Sequence, residues 1–161
     1  MVRRKNFSRL LLAILVSGIL IGSSTMSGTA QRPDEVDDSF TIEGLCDFPV
    51  LVELHGKAKA IFLRDGRIIA TSPGLEATFT NLDAPERTAS EGITGAFRLT
   101  ELANGDTEFI VTGRNLLVGL DAESRFLITM GVYRFVLDVD GNVVETLTGH
   151  GREIDVCELL E

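Results

Sequence analysis

Ile93-Thr94-Gly95-Ala96-Phe97-Arg98-Leu99-Thr100 carries the pattern on which the fold turns. Ile93, Gly95, Phe97 and Leu99 alternate with Thr94, Ala96, Arg98 and Thr100. Successive side chains of a strand point to opposite faces, so this alternation marks a strand with one buried side. The same period recurs in both directions along the chain. Val50, Val52 and Leu54 share a face upstream, as do Leu75, Ala77 and Phe79. Downstream, Phe109 and Val111, then Phe126, Ile128 and Met130, then Tyr133, Phe135 and Leu137 repeat it. The aromatic residues fall almost entirely on the inferred inner face.

Turn chemistry cuts these runs at short intervals. Asp65-Gly66, Asn104-Gly105 and Asp140-Gly141 tolerate the positive φ that tight hairpins require. In Ser72-Pro73-Gly74, proline presets φ and glycine takes the left-handed position. The result is eight or nine strands, near 48–55, 58–64, 67–71, 75–82, 88–101, 106–113, 124–130, 132–139 and 142–149. The long fifth segment is open to a break at Gly92 or Gly95. Connections this short favour antiparallel neighbours, because a parallel pair needs a crossover of roughly a dozen residues. The reading is therefore all-β: a single antiparallel meander closed as a barrel, with a sandwich as the alternative. Closure removes the edges that invite aggregation. Beyond Gly149-His150-Gly151, Ile154, Cys157 and Leu160 recur at helical spacing and predict a short C-terminal helix over one end.

The N-terminus reads as a secretory signal over residues 1–30. Arg3, Arg4, Lys5 and Arg9 precede an apolar run from Leu10 to Ile21, and Gly28-Thr29-Ala30 offers a cleavage site. The rival is an uncleaved anchor, but a spanning helix needs about 20 apolar residues and this run is interrupted at Ser17-Gly18. Residues 31–44 are acidic and read as a disordered leader, with Phe40 and Ile42 either starting a strand or lying against the domain. The all-β domain is assigned to residues 45–161. The first thirty residues hold four basic groups and no acid, leaving 11 basic against 24 acidic groups, a net −13. Such a surface repels nucleic acid and anionic membranes. The mature chain is expected to be secreted, free of the membrane and monomeric.

Cys46 and Cys157 are the two cysteines of the chain. An even pair in an oxidising compartment is read as a disulfide. Free buried thiols and half of a metal site are the competing readings. The second lacks soft ligands, since only His55 and His150 join the cysteines. Neither a metal nor a cofactor is expected.

Candidate chemistry is sparse. His55 and His150 lie at strand ends beside glycines, and no nucleophile-elbow or zinc-protease motif accompanies them. Exposed loop histidines are the reading for both. Asp138, Asp140 and Asn142 place oxygen side chains at alternate positions, but Val143 and Gly149 stand where a calcium loop wants glycine and glutamate. A hairpin turn explains the same residues. In Gly113-Arg114-Asn115-Leu116-Leu117, an arginine and an asparagine leave a strand together. Arg114, Asn115 and Tyr133 are the ligand-contacting candidates, at a barrel mouth where pockets form. Pairing of Arg114 with one of the many acids is the competing and favoured role.

Four motifs together carry a resemblance: Cys46-Asp47-Phe48-Pro49-Val50, Ser72-Pro73-Gly74, Gly113-Arg114-Asn115-Leu116-Leu117, and Gly149-His150-Gly151 running on to Asp155-Val156-Cys157. As an ordered set they resemble a group of small secreted proteins common in actinobacteria and similar bacteria. That group has no established activity. The resemblance implies secretion, an all-β domain and the terminal cysteines, and it transfers no catalytic residue. The functional expectation is a secreted, non-enzymatic β-domain binding a small apolar ligand or a cell-envelope component. The alternatives are an extracellular hydrolase or isomerase around His55, His150 or Arg114, and an enzyme inhibitor presenting the stretch 83–91.

Overall fold

Alternation produces strands along nearly the whole domain. The computed structural model describes residues 32–161, and the expected signal segment lies outside them. Nine strands follow in order: β1 (Asp34–Ile42), β2 (Val50–Phe62), β3 (Ile68–Thr71), β4 (Glu76–Asn81), β5 (Thr88–Gly92), β6 (Ala96–Glu101), β7 (Thr107–Val118), β8 (Phe126–Leu137) and β9 (Val143–Asp155). A single helical turn, α1 (Val156–Leu159), ends the chain. The Asp155 carboxylate accepts from the Cys157 N–H and caps it. Every strand pairing is antiparallel.

Four of the expected strands are halves of two longer ones: 48–55 and 58–64 together make β2, and 124–130 and 132–139 make β8. β2 carries β1 on one edge, while its other edge is shared: residues 50–55 pair with β4 and residues 59–62 with β3. β3 and β4 are thus one run broken at Ser72-Pro73-Gly74, opposite Gly56. A Cβ on Gly56 would sit 2.3 Å from the Gly74 carbonyl oxygen, so the break and the glycine belong together. β5 and β6 are likewise one run, broken at residues 93–95. Beyond that break the sheet forks. β6 pairs with β7 only as far as Ala96 and Thr112, and residues 113–118 of β7 pair with β8 alone.

Gly113, Gly131 and Gly151 stand side by side across β7, β8 and β9. The strands bury opposite faces on either side of this column. On one side, odd-numbered Phe109, Val111, Tyr133 and Phe135 form one core cluster. On the other, even-numbered Val118, Phe126 and Ile128 join Val50, Val52, Ala77 and Phe79 of the first strands in a second cluster. Leu117 packs into the first cluster and its neighbour Val118 into the second, so this part of the sheet is clad on both faces. That is why Phe126, Leu127, Ile128 and Thr129 are buried in succession, against the alternation.

At Gly131 and Gly151 the column leaves no room for a side chain, whereas a Cβ on Gly113 would meet Gly95 Cα at 3.3 Å. A Cβ on Gly131 would lie 2.2 Å from the His150 carbonyl oxygen, and φ is +157° there. Gly131→Ala is therefore expected to destabilise the domain by about 2–3 kcal/mol, through backbone displacement as well as strain. Chemical denaturation of the variant checks it. An unchanged midpoint would show that the strands part freely at the column.

Two expectations are corrected. The sheet is not closed as a barrel: it runs open from β1 to β9, which share no ladder. A small barrel keeps one face of each strand inward along its length. Here β7 and β8 exchange faces at the glycine column, so the arms fold onto each other and fill the interior. The acidic leader is also structured over Asp34–Ile42, which forms β1 against β2. Its acids stay exposed, while Val36, Phe40 and Ile42 reach the core at alternate positions. Main-chain pairing and period two outweigh acidic composition there.

Candidate functional site

The four sequence motifs gather at two places. One is the end of the fold where Cys46, before β2, is bonded to Cys157 in α1 across 111 residues of chain. The other is the fork.

At the fork, Ser72, Pro73, Thr94, Gly95 and Gly113 line a surface depression of about 340 Å³. The Ser72 hydroxyl donates to the carbonyl oxygens of Ile93 at 2.6 Å and of Gly95 at 3.1 Å. These carbonyls lie in the break between β5 and β6; the Ser72 main-chain N–H also donates to the Gly95 oxygen at 3.2 Å, and the hydroxyl adds a donor for the Ile93 oxygen. This hydroxyl is committed to structure rather than poised as a nucleophile.

Asn115 lies under Gly95 and is 2 % exposed. Its Nδ2 donates to the Thr112 carbonyl at 3.0 Å, while its buried Oδ1 has no partner. A Cβ on Gly95 would meet that Oδ1 at 2.2 Å, which explains glycine at the break. Arg114, the preceding residue, turns to the other face of β7. Its Nη1 donates to Glu91 Oε2 at 2.6 Å and its Nη2 to Met130 Sδ at 3.1 Å. The ion pair links β7 to β5 where their ladder is missing. Pairing with an acid, the competing role for Arg114, is thus what the structure shows. Tyr133 is buried in the aromatic cluster on the far side of the glycine column. Burial pushes its phenol up, and the Glu153 carboxylate adds to the rise. Arg114, Asn115 and Tyr133 therefore do not converge on one pocket, and none of them lines the depression.

Both histidines lie on strands and are exposed. His55 Nδ1 stands 3.9 Å from Asp37 Oδ1, with both side chains about nine-tenths exposed. His150, on β9, faces Val132 in register. The stretch 83–91 is held down rather than free: Asn81 Oδ1 accepts from the N–H groups of Asp83 and Ala84, and β5 begins at Thr88. The Asp138 carboxylate accepts from the N–H groups of Asp140 and Asn142 and from the Asn142 amide, which hold it below the usual carboxylate range. Its oxygens are thus engaged by the hairpin. Among the described residues, no group of three or more potential metal ligands comes together. No helix among them is long and apolar enough to cross a membrane.

Two polar clusters escaped the sequence reading. In one, Arg134 on β8 donates to Glu108 on β7 and to Glu145 on β9. In the other, within the β7–β8 connection, Arg125 Nε donates to Asp121 Oδ2 at 2.5 Å and Arg125 Nη2 to Glu153 Oε2 at 3.0 Å. The Leu120 carbonyl of the same connection accepts from the N–H of Leu147 at 2.8 Å, which docks the loop on β9. The Asp121-to-Arg125 spacing was the available signal for the second, and it was hidden among many charged pairs. No protein-family model matches the chain, and neither does any curated protein or solved structure.

Proposed function

We propose that this protein is a secreted, non-catalytic binding module that recognises an envelope component or an extracellular partner at its surface. One observation carries this reading: the aromatic residues placed to line a lumen pack on one another. The Phe109 and Phe135 rings stack with centroids 4.7 Å apart and planes 6° from parallel. Phe79 meets Phe126 edge-on at 5.6 Å in the other cluster. Side chains therefore occupy the space that an internal apolar ligand would need. The depressions of about 340 and 290 Å³ open at the surface. Apolar side chains are exposed away from these depressions as well, Phe62 at 60 % and Val139 at 76 %. The secreted setting is supported by the disulfide, which persists in oxidising compartments.

A native mass spectrum of the protein taken from its host medium, repeated after denaturation and reduction, tests this. The expected result is a chain with one disulfide and no small molecule released on denaturation. A stoichiometric low-mass ligand lost on unfolding would overturn the surface reading in favour of a carrier.

A further inference from the structure

We propose that the free edge of β1 takes up an extended, basic segment of a partner protein as an added antiparallel strand. The proposal rests on the binding-module reading and gives it a place and a partner chemistry.

β1 is hydrogen-bonded on one side only. All nine of its residues pair with β2, and among the described residues no strand lies on its other edge. β9, at the opposite end of the sheet, is treated differently, since the Leu120 carbonyl of the β7–β8 connection bonds to it at Leu147. An open edge is a template for another strand, and proteins restrict it with charge. On β1 the charge has one sign: Asp34, Glu35, Asp37 and Asp38, with no basic residue. That pattern disfavours pairing with a second copy of β1, because each strand would bring four acids and no cation to one ladder, with Asp38 facing Asp38 at full antiparallel overlap. The same pattern attracts lysine and arginine.

The two faces of β1 sharpen the match. Glu35 and Asp37 lie on the outer face with Ser39 and Thr41, whereas Val36 and Phe40 turn toward the core on the face they share with the exposed Asp34 and Asp38. Val36 and Phe40 are only half-buried, unlike Ile42 at the end of the strand, which is 7 % exposed. An incoming strand that alternates basic and apolar residues would set its cations beside Glu35 and Asp37. Its apolar side chains would extend the cover over Val36 and Phe40. Strand addition of this kind takes affinity from main-chain bonds and selectivity from alternate side chains.

A capped nine-residue peptide alternating lysine and valine is the probe, with a glutamate–valine peptide as its counterpart. Binding to the intact, oxidised protein is followed by titration and by amide hydrogen exchange. The expected result is saturable binding of the basic peptide, slowed exchange within residues 34–42, and no binding of the acidic one. Glu35→Lys with Asp37→Lys should weaken binding about tenfold or more, while circular dichroism shows the fold retained. Binding that survives the charge reversal, or that leaves the β1 amides exchanging as before, would overturn the proposal. So would failure of the basic peptide to bind at all. These failures would leave the binding-module reading standing, because that reading is tested separately by what the native spectrum releases.

Discussion

Replacing Cys46 and Cys157 with serine together is expected to lower the unfolding free energy by about 4–5 kcal/mol. The bond closes a loop of 111 residues, and the chain-entropy account makes the cost to the unfolded state grow with loop length. The position of the bond adds to the argument. It joins the connection between β1 and β2 to the helix after β9, and neither β1 nor β2 shares a ladder with β9. The disulfide therefore does covalently what closure of the sheet would do by hydrogen bonds. Val156 and Leu160, at 0 % and 1 % exposure, sit in the cluster that the bond holds shut. A single helical turn has almost no stability of its own, so α1 should lose its place in the double variant. Urea denaturation of wild type and double variant, both without reductant, measures the difference. A loss below about 1 kcal/mol would mean that apolar contact alone holds the arms together.

Phe135→Ala is the second large effect, expected at about 3–5 kcal/mol. Phe135 is 2 % exposed and stacks on Phe109, with Val111, Tyr133 and Leu137 in the same cluster. The cost combines lost transfer free energy with a cavity that the rigid ladders of β7 and β8 cannot close. Equilibrium unfolding provides the value. A cost near 1 kcal/mol would imply that the ring already borders open space, and it would revive an internal ligand site.

These residues also show what the sequence made legible. Phe97, Phe109 and Phe135 stood on the inferred inner face, and all belong to one cluster. Their alternation depended only on the strand pleat, which is local. The break in the fifth segment was legible for the same reason, because Gly95 interrupts the run. Closure was not legible. It depends on what β7 and β8 do at Gly113, Gly131 and Gly151, and three glycines far apart in sequence announce no column until register brings them together. The successive burial of Phe126, Leu127, Ile128 and Thr129 was hidden likewise, because two separate surfaces cover them. β1 was obscured by its acids: composition argued for disorder, while the ladder to β2 decided the outcome. At the fork, the motif around Arg114 was visible, but its partner Glu91 was one acid among 24.

The broken strands bear on how the chain reaches its native state. Counting β3 with β4 and β5 with β6 as single runs, every ladder joins segments adjacent in chain order. Each pairing can zip from a nearby turn, so little loop entropy is lost before contacts form. The union of Cys46 with Cys157 is the exception, since it needs both arms already in place. Oxidation should accordingly come last, and a chain with formed hairpins and two free thiols is the expected penultimate species on the folding route.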